Sequence, residues 1–297
     1  MPKSIYITDV IVLPIANWDQ PCSTAEQQRV ILALESGDVL LFPQLHFPIQ
    51  DGEERLLSPI AAGQAKNVSL DSSSGALGGS DTNEAELKLL RSMMTRFATL
   101  SRALIHNVFP RYEQDIQRAR TSYRPVEIAG RLTSWRKDDT RLHVDSFPSS
   151  PTQGKRILRL FANVHPHGYS RTWRLGESFE YVAQRYVHSI RNPIWGASLA
   201  LNLLGLTKSR RSAYDHYMLR LHDCMKADLA YQSEAIQRPY EFPAGSTWIV
   251  FTDQVSHAAM SGQYALEQTF LLPVDSMLDP SHSPLRILEH LLGRQLT

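Results

Sequence analysis

The chain has 297 residues, 42% of them hydrophobic and 21% charged, which is the composition of a folded globular protein and excludes a disordered one. Its 31 basic and 30 acidic residues leave a net charge of +1, so we expect no nucleic-acid partner. Two cysteines, Cys22 and Cys224, cannot form a disulfide framework and fit a reducing compartment. We expect neither a signal peptide nor a membrane-spanning segment, because the longest uncharged apolar stretch, residues 192–207, is too short to cross a bilayer.

The first part of the chain predicts four strands. β-Branched runs at residues 5–7 and 10–13 are typical of strands. Two further apolar runs, residues 30–34 and 39–42, lie on either side of Ser36-Gly37-Asp38 and predict a pair of strands joined by a turn.

A loop and a long helix are predicted next. The Ser- and Gly-rich residues 72–80 indicate a mobile surface loop. From Glu84 to about Arg118, apolar residues recur at spacings of three and four, which predicts an amphipathic helix. We expect Asp81 or Thr82 to cap its start and Pro110 to break or kink it.

From about residue 125 the pattern changes to short apolar runs separated by Pro, Gly and Asp, which predicts strands. We expect helices at about residues 178–190 and 212–231, strands at 246–252 and 266–273, and a short amphipathic helix at 284–292. Many strands with helices packed to one side predict an α+β fold built on a β-sandwich or an open barrel. We expect one domain over residues 1–297, divided into N-terminal strands with a supporting helix (1–125), a β core (126–275) with a helical insertion at about 177–232, and a C-terminal helix (276–297).

One short motif has the spacing of a metal site. Among 11 histidines, only His143 begins a His-x-Asp or His-x-Glu triplet, with Asp145 two residues later. Residues two apart in a strand point to the same face, so this imidazole and this carboxylate can bind one metal ion. A distant histidine would complete two histidines and one carboxylate, the set that favours non-haem iron(II). About one such triplet is expected by chance in a chain of this composition, so the triplet alone favours a metal site and a coincidence equally.

His257 is the best candidate for the third ligand. It follows the apolar strand predicted at residues 246–252 and precedes a Ser-Gly turn, a place where a sandwich would present a distal ligand. The two histidines at residues 165–167 flank a proline in a turn and are weaker candidates. The remaining histidines are predicted on helices, at isolated polar positions or in the C-terminal tail.

Four segments resemble one known family. Residues 134–148, Ser-Trp-Arg-Lys-Asp-Asp-Thr-Arg-Leu-His-Val-Asp-Ser-Phe-Pro, closely resemble the bacterial 3-deoxy-D-manno-oct-2-ulosonic acid (Kdo) hydroxylases, and further matches lie at residues 159–166, 171–177 and 257–263. The resemblance implies a double-stranded β-helix core, jelly-roll or cupin-like, with flanking helices. It implies a dioxygenase that uses iron(II), 2-oxoglutarate and dioxygen, with His143, Asp145 and His257 as the iron ligands.

The same resemblance implies a reaction and a substrate. Family members hydroxylate C3 of a Kdo sugar in the inner core of lipopolysaccharide and convert it to the octulosonic acid Ko, with succinate and CO2 as co-products. The substrate would be Kdo-containing lipid A, which is anionic and anchored in a membrane. An Asp at the carboxylate position of the triplet, where a small residue would stand in a halogenase, implies hydroxylation.

The second carboxylate of 2-oxoglutarate requires a cation, for which the fork of an arginine is well suited. Relatives in the wider superfamily place this arginine shortly after the distal histidine, but residues 265–269 contain no Arg or Lys. In the strand predicted at residues 156–164, alternation places Arg159 and Asn163 on a mixed face suited to a ligand cavity, opposite an apolar face. We therefore predict Arg159 as the partner, with Asn163 beside it and Arg156 as the alternative.

A positive rim would suit an anionic sugar. Trp135, Arg136, Lys137 and Arg141 lead into the metal motif, and we predict that they bind the substrate. Two aspartates at residues 138–139 offset this charge, so an ordinary charged hairpin is an equal alternative.

A second segment predicts contact with a membrane. The apolar residues 193–206 precede the basic run Lys208-Ser209-Arg210-Arg211, and such a pair can bind an anionic membrane surface. A buried insertion with a solvated end is the alternative. We expect a cytoplasmic protein that is peripheral to the inner membrane.

Two rival functions remain open at this point. The first is a 2-oxoglutarate oxygenase that acts on another small molecule or on a protein side chain. The second is a non-catalytic β-sandwich binding module, in which His143 and His257 would lie far apart and no iron would bind.

Overall fold

The structure is a computed structural model that describes residues 7–58, 65–194 and 196–297. The strand predicted at residues 5–7 lies almost entirely outside the described residues, and so does Trp195 of the predicted membrane segment.

The strands form two sheets. The larger sheet contains, in spatial order, β1 (Val10–Val12), β2 (Val39–Phe42), β9 (Thr247–Phe251), β6 (Arg156–Asn163), β11 (Ala265–Leu272), β5 (Gln117–Arg124), β3 (Val68–Leu70) and β4 (Leu77–Gly78). The smaller sheet contains β10 (His257–Ser261), β7 (Arg171–Leu175) and β8 (Arg238–Phe242). The pair β1–β2 is parallel and the other neighbouring pairs are antiparallel. The strands predicted at residues 246–252 and 266–273 are confirmed as β9 and β11.

The strand predicted at residues 30–34 is wrong, because these residues lie in the helix α1 (Thr24–Ser36). Ser23 and Glu26 form a capping box at its start, and Gly37, with φ of 100°, ends it in the left-handed conformation that favours glycine. The predicted turn at residues 36–38 is therefore a helix C-terminus. The buried apolar residues recur at helical spacing and not at strand spacing: Val30, Ile31 and Leu34.

The long helix is present but shorter than predicted. Helix α2 (Glu84–Val108) begins after Asn83, whose side chain accepts a hydrogen bond from the amide of Glu86 at 3.0 Å, and not after Asp81 or Thr82. Residues 110–112 form a 3-10 turn that starts at Pro110, so the predicted break at Pro110 is confirmed and the predicted helical pattern beyond it, to Arg118, is wrong. Proline has no amide hydrogen to donate and clashes with the preceding helical turn, which ends the helix here.

Among the described residues, four α-helices lie between β7 and β8, and one follows β11. These are α3 (Phe179–Tyr186), α4 (Ala197–Leu203), α5 (Ala213–Ala227), α6 (Leu229–Glu234) and α7 (Pro284–Leu292). The helix predicted at residues 212–231 is two helices, because Asp228 leaves the helical conformation and caps α6. The C-terminal helix is confirmed at its predicted bounds. Within the described ranges, no helix has the length and apolar character needed to cross a membrane.

Residues 72–80, predicted as a mobile loop, belong to a hairpin. They contain the turn and the second strand of the β3–β4 pair. The carboxylate of Asp71 accepts hydrogen bonds from the amides of Ser73 and Ser74, both at 3.0 Å, which fixes the turn.

Alternation along the strands separates two apolar cores. On β6, Phe161 faces the smaller sheet and packs against Trp173, with ring centroids 5.1 Å apart. Its neighbours Leu160 and Ala162 face the other side and join residues of α1, α2, α3, α5 and α7. The molecule is thus a sandwich of two sheets with helices packed on the outer face of the larger one. The predicted α+β class and the predicted assignment of the two faces of β6 are both confirmed.

Candidate active site

His143, Asp145 and His257 lie together. Each offers one ligand atom, and these three atoms lie within 4.8 Å of one another. The backbone N–H of His143 donates to the carbonyl of His257 at 3.0 Å, and the N–H of His257 donates back at 2.9 Å. This single bridge replaces the regular strand predicted around His143. The three residues that the sequence predicted as neighbours therefore lie together, but the strand predicted at His143 is wrong.

Backbone carbonyls orient both imidazoles. Nδ1 of His143 lies 2.8 Å from the carbonyl oxygen of Arg141, and Nδ1 of His257 lies 2.8 Å from that of Val255. A carbonyl oxygen only accepts, so each Nδ1 carries the hydrogen and each Nε2 keeps a free lone pair. A hydrogen bond of this kind, from the second ring nitrogen, is the usual way in which metal-binding histidines are held.

The protonation states suit a divalent metal. Burial lowers the pKa of both histidines below the usual range, so both are neutral at neutral pH. Burial alone would raise the pKa of Asp145, but the Arg159 guanidinium, 3.1 Å away, and the Thr252 side chain hold it below its usual range. Two neutral imidazoles and one carboxylate form the donor set that non-haem iron(II) sites use.

The three residues line a cavity of about 340 Å³ between the two sheets. Its wall includes residues of β5 and β6 from the larger sheet, of β7 and β10 from the smaller one, and of helix α5. Cationic side chains outnumber carboxylates in this wall: Lys66, Arg124, Arg136, Lys137, Arg159, Arg171 and Lys226 against Asp139 and Asp145. An anionic ligand is therefore favoured in the cavity.

Arg159 lies in the cavity, on the predicted face of β6. Its Nη1 is 3.1 Å from Oδ2 of Asp145 and its Nε is 3.5 Å from Oε1 of Glu267. The guanidinium is thus already balanced by two carboxylates, one of which belongs to the metal-binding set.

The structure does not bring Arg156 or Asn163 to the cavity. Arg156 lies on the helix-facing side of β6, fully buried, where its Nε donates to Asp253 at 2.8 Å. The amide nitrogen of Asn163 donates to the carbonyls of Tyr169 and Phe242, at 3.0 and 3.1 Å. Strand alternation points the Arg156 side chain away from the cavity. The amide of Asn163 forms hydrogen bonds with neighbouring backbone carbonyls and is not available to a ligand in the cavity.

Sequence reasoning missed Arg171, which begins β7. The residue is 3% exposed, and its Nη1 donates to the carbonyl of Gly262 at 3.0 Å. Within the part of the chain that the structure describes, it forms no ion pair with a carboxylate, and its Nε has no hydrogen-bond partner. Burial and the neighbouring Arg124 lower its pKa to about 10. A signal was available, because Arg171 lies two residues before the inward-facing Trp173, on the same face of the strand, inside one of the four segments that resemble the family.

Glycine is required where the chain closes over Arg171. Gly262 has φ of 116°, and a Cβ atom there would lie 2.9 Å from the side chain of Arg171. The Ser-Gly turn predicted after His257 therefore brings the backbone of the smaller sheet against this guanidinium.

The predicted substrate rim is only partly at the cavity. Arg136 and Lys137 line it, whereas Trp135 and Arg141 do not. The Arg136 guanidinium lies over the Trp135 ring, 4.1 Å from its centroid. Arg141 donates to the carbonyl of Lys226 at 2.7 Å. Lys226 itself lines the cavity and was missed, since its place in a predicted helix gave no indication of it.

Comparisons with known proteins agree with this site. The family of 3-deoxy-D-manno-oct-2-ulosonic acid (Kdo) hydroxylases matches residues 17–295. The chain is 46% identical to the Kdo hydroxylase KdoO, a non-heme Fe(II) α-ketoglutarate-dependent dioxygenase solved with α-ketoglutarate and Fe(III), over 98% of both chains, with a TM-score of 0.94. A KdoO structure with cobalt(II) is 48% identical over 97% of both chains, with a TM-score of 0.94. One with succinate and Fe(III) is 47% identical over 97% of both chains, with a TM-score of 0.93.

No match was found among the curated proteins. The structural similarity to KdoO identifies the two facing sheets as the double-stranded β-helix that the resemblance predicted. The family match extends over nearly the whole chain and includes the three clustered residues. The chain therefore belongs to the Kdo hydroxylase family.

Proposed function

We propose that this chain hydroxylates C3 of a Kdo residue in Kdo-lipid A, giving Ko, succinate and CO2. As a member of its family it is an iron(II)- and 2-oxoglutarate-dependent dioxygenase that hydroxylates Kdo. The observation that carries the proposal is the meeting of His143, Asp145 and His257 in a cation-rich cavity. Iron(II), with 2-oxoglutarate and dioxygen, supplies the oxidant that converts a C–H bond of the sugar into C–OH.

The metal would be held by Nε2 of His143, Nε2 of His257 and the carboxylate of Asp145. Both imidazoles are neutral and oriented by backbone carbonyls, so no proton has to leave them before a metal binds. The charge of Arg159, 3.1 Å from Oδ2 of Asp145, favours the ionised carboxylate. These residues thus present a preformed donor set on one side of the cavity.

Arg171 is the best supported partner for the second carboxylate of 2-oxoglutarate, in place of Arg159. The Arg159 guanidinium already has two carboxylates as ion-pair partners, Asp145 at 3.1 Å and Glu267 at 3.5 Å. Arg124 is likewise paired with Glu267, at 2.6 Å. Arg171 is the buried cavity guanidinium that no carboxylate of the described residues balances, and its fork can bind both oxygens of an incoming carboxylate.

The position of the two histidines opposes the alternative that the chain is a non-catalytic binding module. That alternative requires His143 and His257 to lie far apart, whereas their ring centroids are 4.7 Å apart. The second alternative is an oxygenase that uses the same metal chemistry on another substrate. The family match and the cations of the cavity wall oppose it.

A lipid-anchored substrate is supported by an apolar surface around α4. Three side chains there are at least 73% exposed: Ile194, Leu203 and Leu204, at 80%, 77% and 73%. Several large apolar side chains this exposed within one short segment are unusual on a surface that faces water, and they are typical of a surface that binds a membrane. We therefore assign peripheral binding to the inner membrane, from the cytoplasmic side, to this α4 surface, with Lys208, Arg210 and Arg211 facing anionic lipid headgroups.

The α4 surface is joined to the cavity. The amide of Lys208 donates to the carbonyl of Ser149 at 2.9 Å, and the side chain of Arg211 donates to the carbonyl of Pro148. Pro148 lines the cavity, three residues after Asp145. A lipid held at the α4 surface would therefore have its sugar close to the cavity entrance.

The proposed function is tested by product analysis. The iron-loaded protein is incubated with Kdo-lipid A, 2-oxoglutarate and ¹⁸O₂, and the lipid is examined by mass spectrometry and NMR. We expect the gain of one labelled oxygen, located at C3 of Kdo, only when iron and 2-oxoglutarate are both present. An unchanged lipid, or oxygen at another position, would contradict the proposal.

A further inference from the structure

Lys226 is a buried cation whose role the proposed metal and 2-oxoglutarate sites leave open. It is 2% exposed, near the end of α5, and it lines the cavity. Its Nζ donates one hydrogen bond, to the carbonyl of Arg136 at 3.1 Å. Among the described residues it forms no ion pair with a carboxylate. A buried ammonium has three hydrogens to donate and is costly without an anionic partner, so this position favours a bound anion.

Neighbouring arginines fix Lys226 in place. Arg141 donates to the backbone carbonyl of Lys226 at 2.7 Å. The Nε of Arg136 is 3.2 Å from Oδ2 of Asp223, one turn earlier on α5. Arg136 and Arg141, which the sequence predicted as substrate-binding residues, therefore contact the helix that carries Lys226. We regard them as positioning residues for Lys226.

Lys226 and Arg171 occupy different parts of the cavity. Lys226 lies on α5 and donates to the carbonyl of Arg136, whereas Arg171 lies on β7 and donates to the carbonyl of Gly262. Both are buried cations of the cavity wall that form no ion pair among the described residues, and the proposed reaction has two ligands that carry a carboxylate, 2-oxoglutarate and the acidic sugar.

Lys226 is also close to the metal-binding residues. It lines the same cavity as His143, Asp145 and His257, and the ring centroid of His222, one turn earlier on α5, lies 5.4 Å from that of His143. In an ulosonic acid the carboxylate carbon C1 and the methylene carbon C3 are separated by C2 alone. A cation that holds the C1 carboxylate near the metal therefore also holds C3 near the metal, which is the arrangement that hydroxylation at C3 needs.

We propose that Lys226 binds the carboxylate of the Kdo sugar and thereby positions C3 toward the metal site. The proposal rests on the proposed function and names the residue that selects an acidic sugar.

The test compares Kdo-lipid A with the same lipid after methyl esterification of its Kdo carboxylate. We expect the wild-type protein to prefer the free acid by roughly 10- to 100-fold in kcat/KM, the range for one charged hydrogen bond. Lys226→Met should lose this preference and should leave the KM for 2-oxoglutarate unchanged. Lys226→Arg keeps the charge and should retain most of the preference. Lys88→Met, at an exposed lysine of α2, is the matched control and should behave as wild type.

A binding measurement gives the same comparison without turnover. The cobalt(II)-substituted protein with 2-oxoglutarate under anaerobic conditions should bind the free acid more tightly than the ester, and Lys226→Met should bind both equally. If Lys226→Met does not fold, Lys226→Gln removes the charge while an amide can still donate to the Arg136 carbonyl.

The outcomes separate the two proposals. If the wild-type protein hydroxylates the free acid and Lys226→Met or Lys226→Gln still discriminates against the ester, the Lys226 proposal is wrong and the proposed function stands. If the wild-type protein hydroxylates neither lipid, the proposed function fails and the Lys226 proposal fails with it.

Discussion

Arg159 and Arg171 both line the cavity, but the carboxylates beside them give them different roles. Arg159 forms ion pairs with Asp145 and Glu267, so it acts on the carboxylate that we propose as a metal ligand. Arg171 has only a backbone carbonyl as its hydrogen-bond partner among the described residues. A buried guanidinium that has no ion-pair partner gains most from an anionic ligand, because the ligand offsets the cost of burying the charge.

We predict that Arg171→Met raises the KM for 2-oxoglutarate by roughly 10- to 100-fold, since one charged contact is lost, and changes the KM for Kdo-lipid A much less. Steady-state kinetics with each substrate varied in turn measures both values. Arg159→Met is the comparison variant, and it should weaken cobalt(II) binding by roughly 10- to 100-fold through Asp145. An unchanged 2-oxoglutarate requirement in Arg171→Met would return the assignment to Arg159.

Single residues differ in how far the sequence could predict them. The spacing of His143 and Asp145 was visible as a triplet, and the position of His257 before a Ser-Gly turn marked it out. Strand alternation placed Arg159 on the correct face of β6. The pairing of Arg159 with Glu267 was not predictable, because it depends on how β11 aligns with β6. Such alignments between distant strands leave no local signal in the sequence.

At the scale of elements, one ion pair joins a loop to helix α2. Both nitrogens of the Arg96 fork donate to the carboxylate of Glu53 at 2.7 Å, and the amide of Gln50 donates to it at 2.9 Å. Burial alone would raise the pKa of Glu53, but these hydrogen bonds lower it below its usual range. A carboxylate whose pKa is lowered by folding stabilises the folded state above its unfolded pKa, and this stabilisation is lost as the pH falls through the folded pKa.

We predict that Glu53→Gln lowers the free energy of unfolding by about 1–2 kcal/mol at pH 7. The difference from wild type should stay constant down to about pH 5 and shrink below about pH 4.3, the pKa of an unperturbed glutamate. Urea denaturation at a series of pH values measures it. Glu54→Gln, at the exposed neighbouring position, is the control and should show no such difference. A difference that persists unchanged in acid would show that the charge of Glu53 is not responsible.

The α4 surface gives the second prediction at this scale. We expect the double variant Leu203→Ser, Leu204→Ser to bind anionic vesicles at least roughly tenfold more weakly, because it removes two apolar groups that would enter the membrane. Lys208→Ser and Arg210→Ser should each weaken binding roughly fivefold, about 1 kcal/mol per charge, and reduce its dependence on salt. Vesicle co-sedimentation measures all of them.

The control for this prediction is Leu229→Ser. Leu229 is 66% exposed but lies on α6, outside the α4 surface. Equal vesicle binding by the Leu203/Leu204 variant and this control would exclude the α4 surface as the membrane contact.

Helices and strands could be predicted where a single hydrophobic pattern was clear in the sequence. The C-terminal helix α7 and the strands β9 and β11 carry a clear period or a continuous apolar run, and they appear as predicted. Helix α1 was mistaken for a strand because its β-branched residues suggested one, while the capping box at Ser23 and Glu26 was overlooked. Gly37 is equally compatible with a turn between two strands, because glycine occurs both in turns and at helix ends.

At the scale of the whole molecule, composition and pattern predicted the α+β class and the helix layer. They could not predict which cations meet in the cavity. Arg124, Arg171 and Lys226 come from β5, β7 and α5, which are far apart in the chain and are brought together by the packing of the two sheets and the helical insertion. The three proposed metal ligands could be predicted because two of them, His143 and Asp145, are close neighbours in the sequence, whereas the cations are not.

The most direct test of the account is succinate formation by the anaerobically iron-loaded protein with 2-oxoglutarate, started by admitting oxygen. Kdo-bearing lipid A is compared with lipid A that lacks Kdo, and Asp145→Ala serves as the control without a complete metal site. The account predicts succinate only with the Kdo-bearing lipid, mole for mole with the gain of one oxygen in that lipid, and neither product from Asp145→Ala. Equal succinate with both lipids and no oxidised lipid would contradict it.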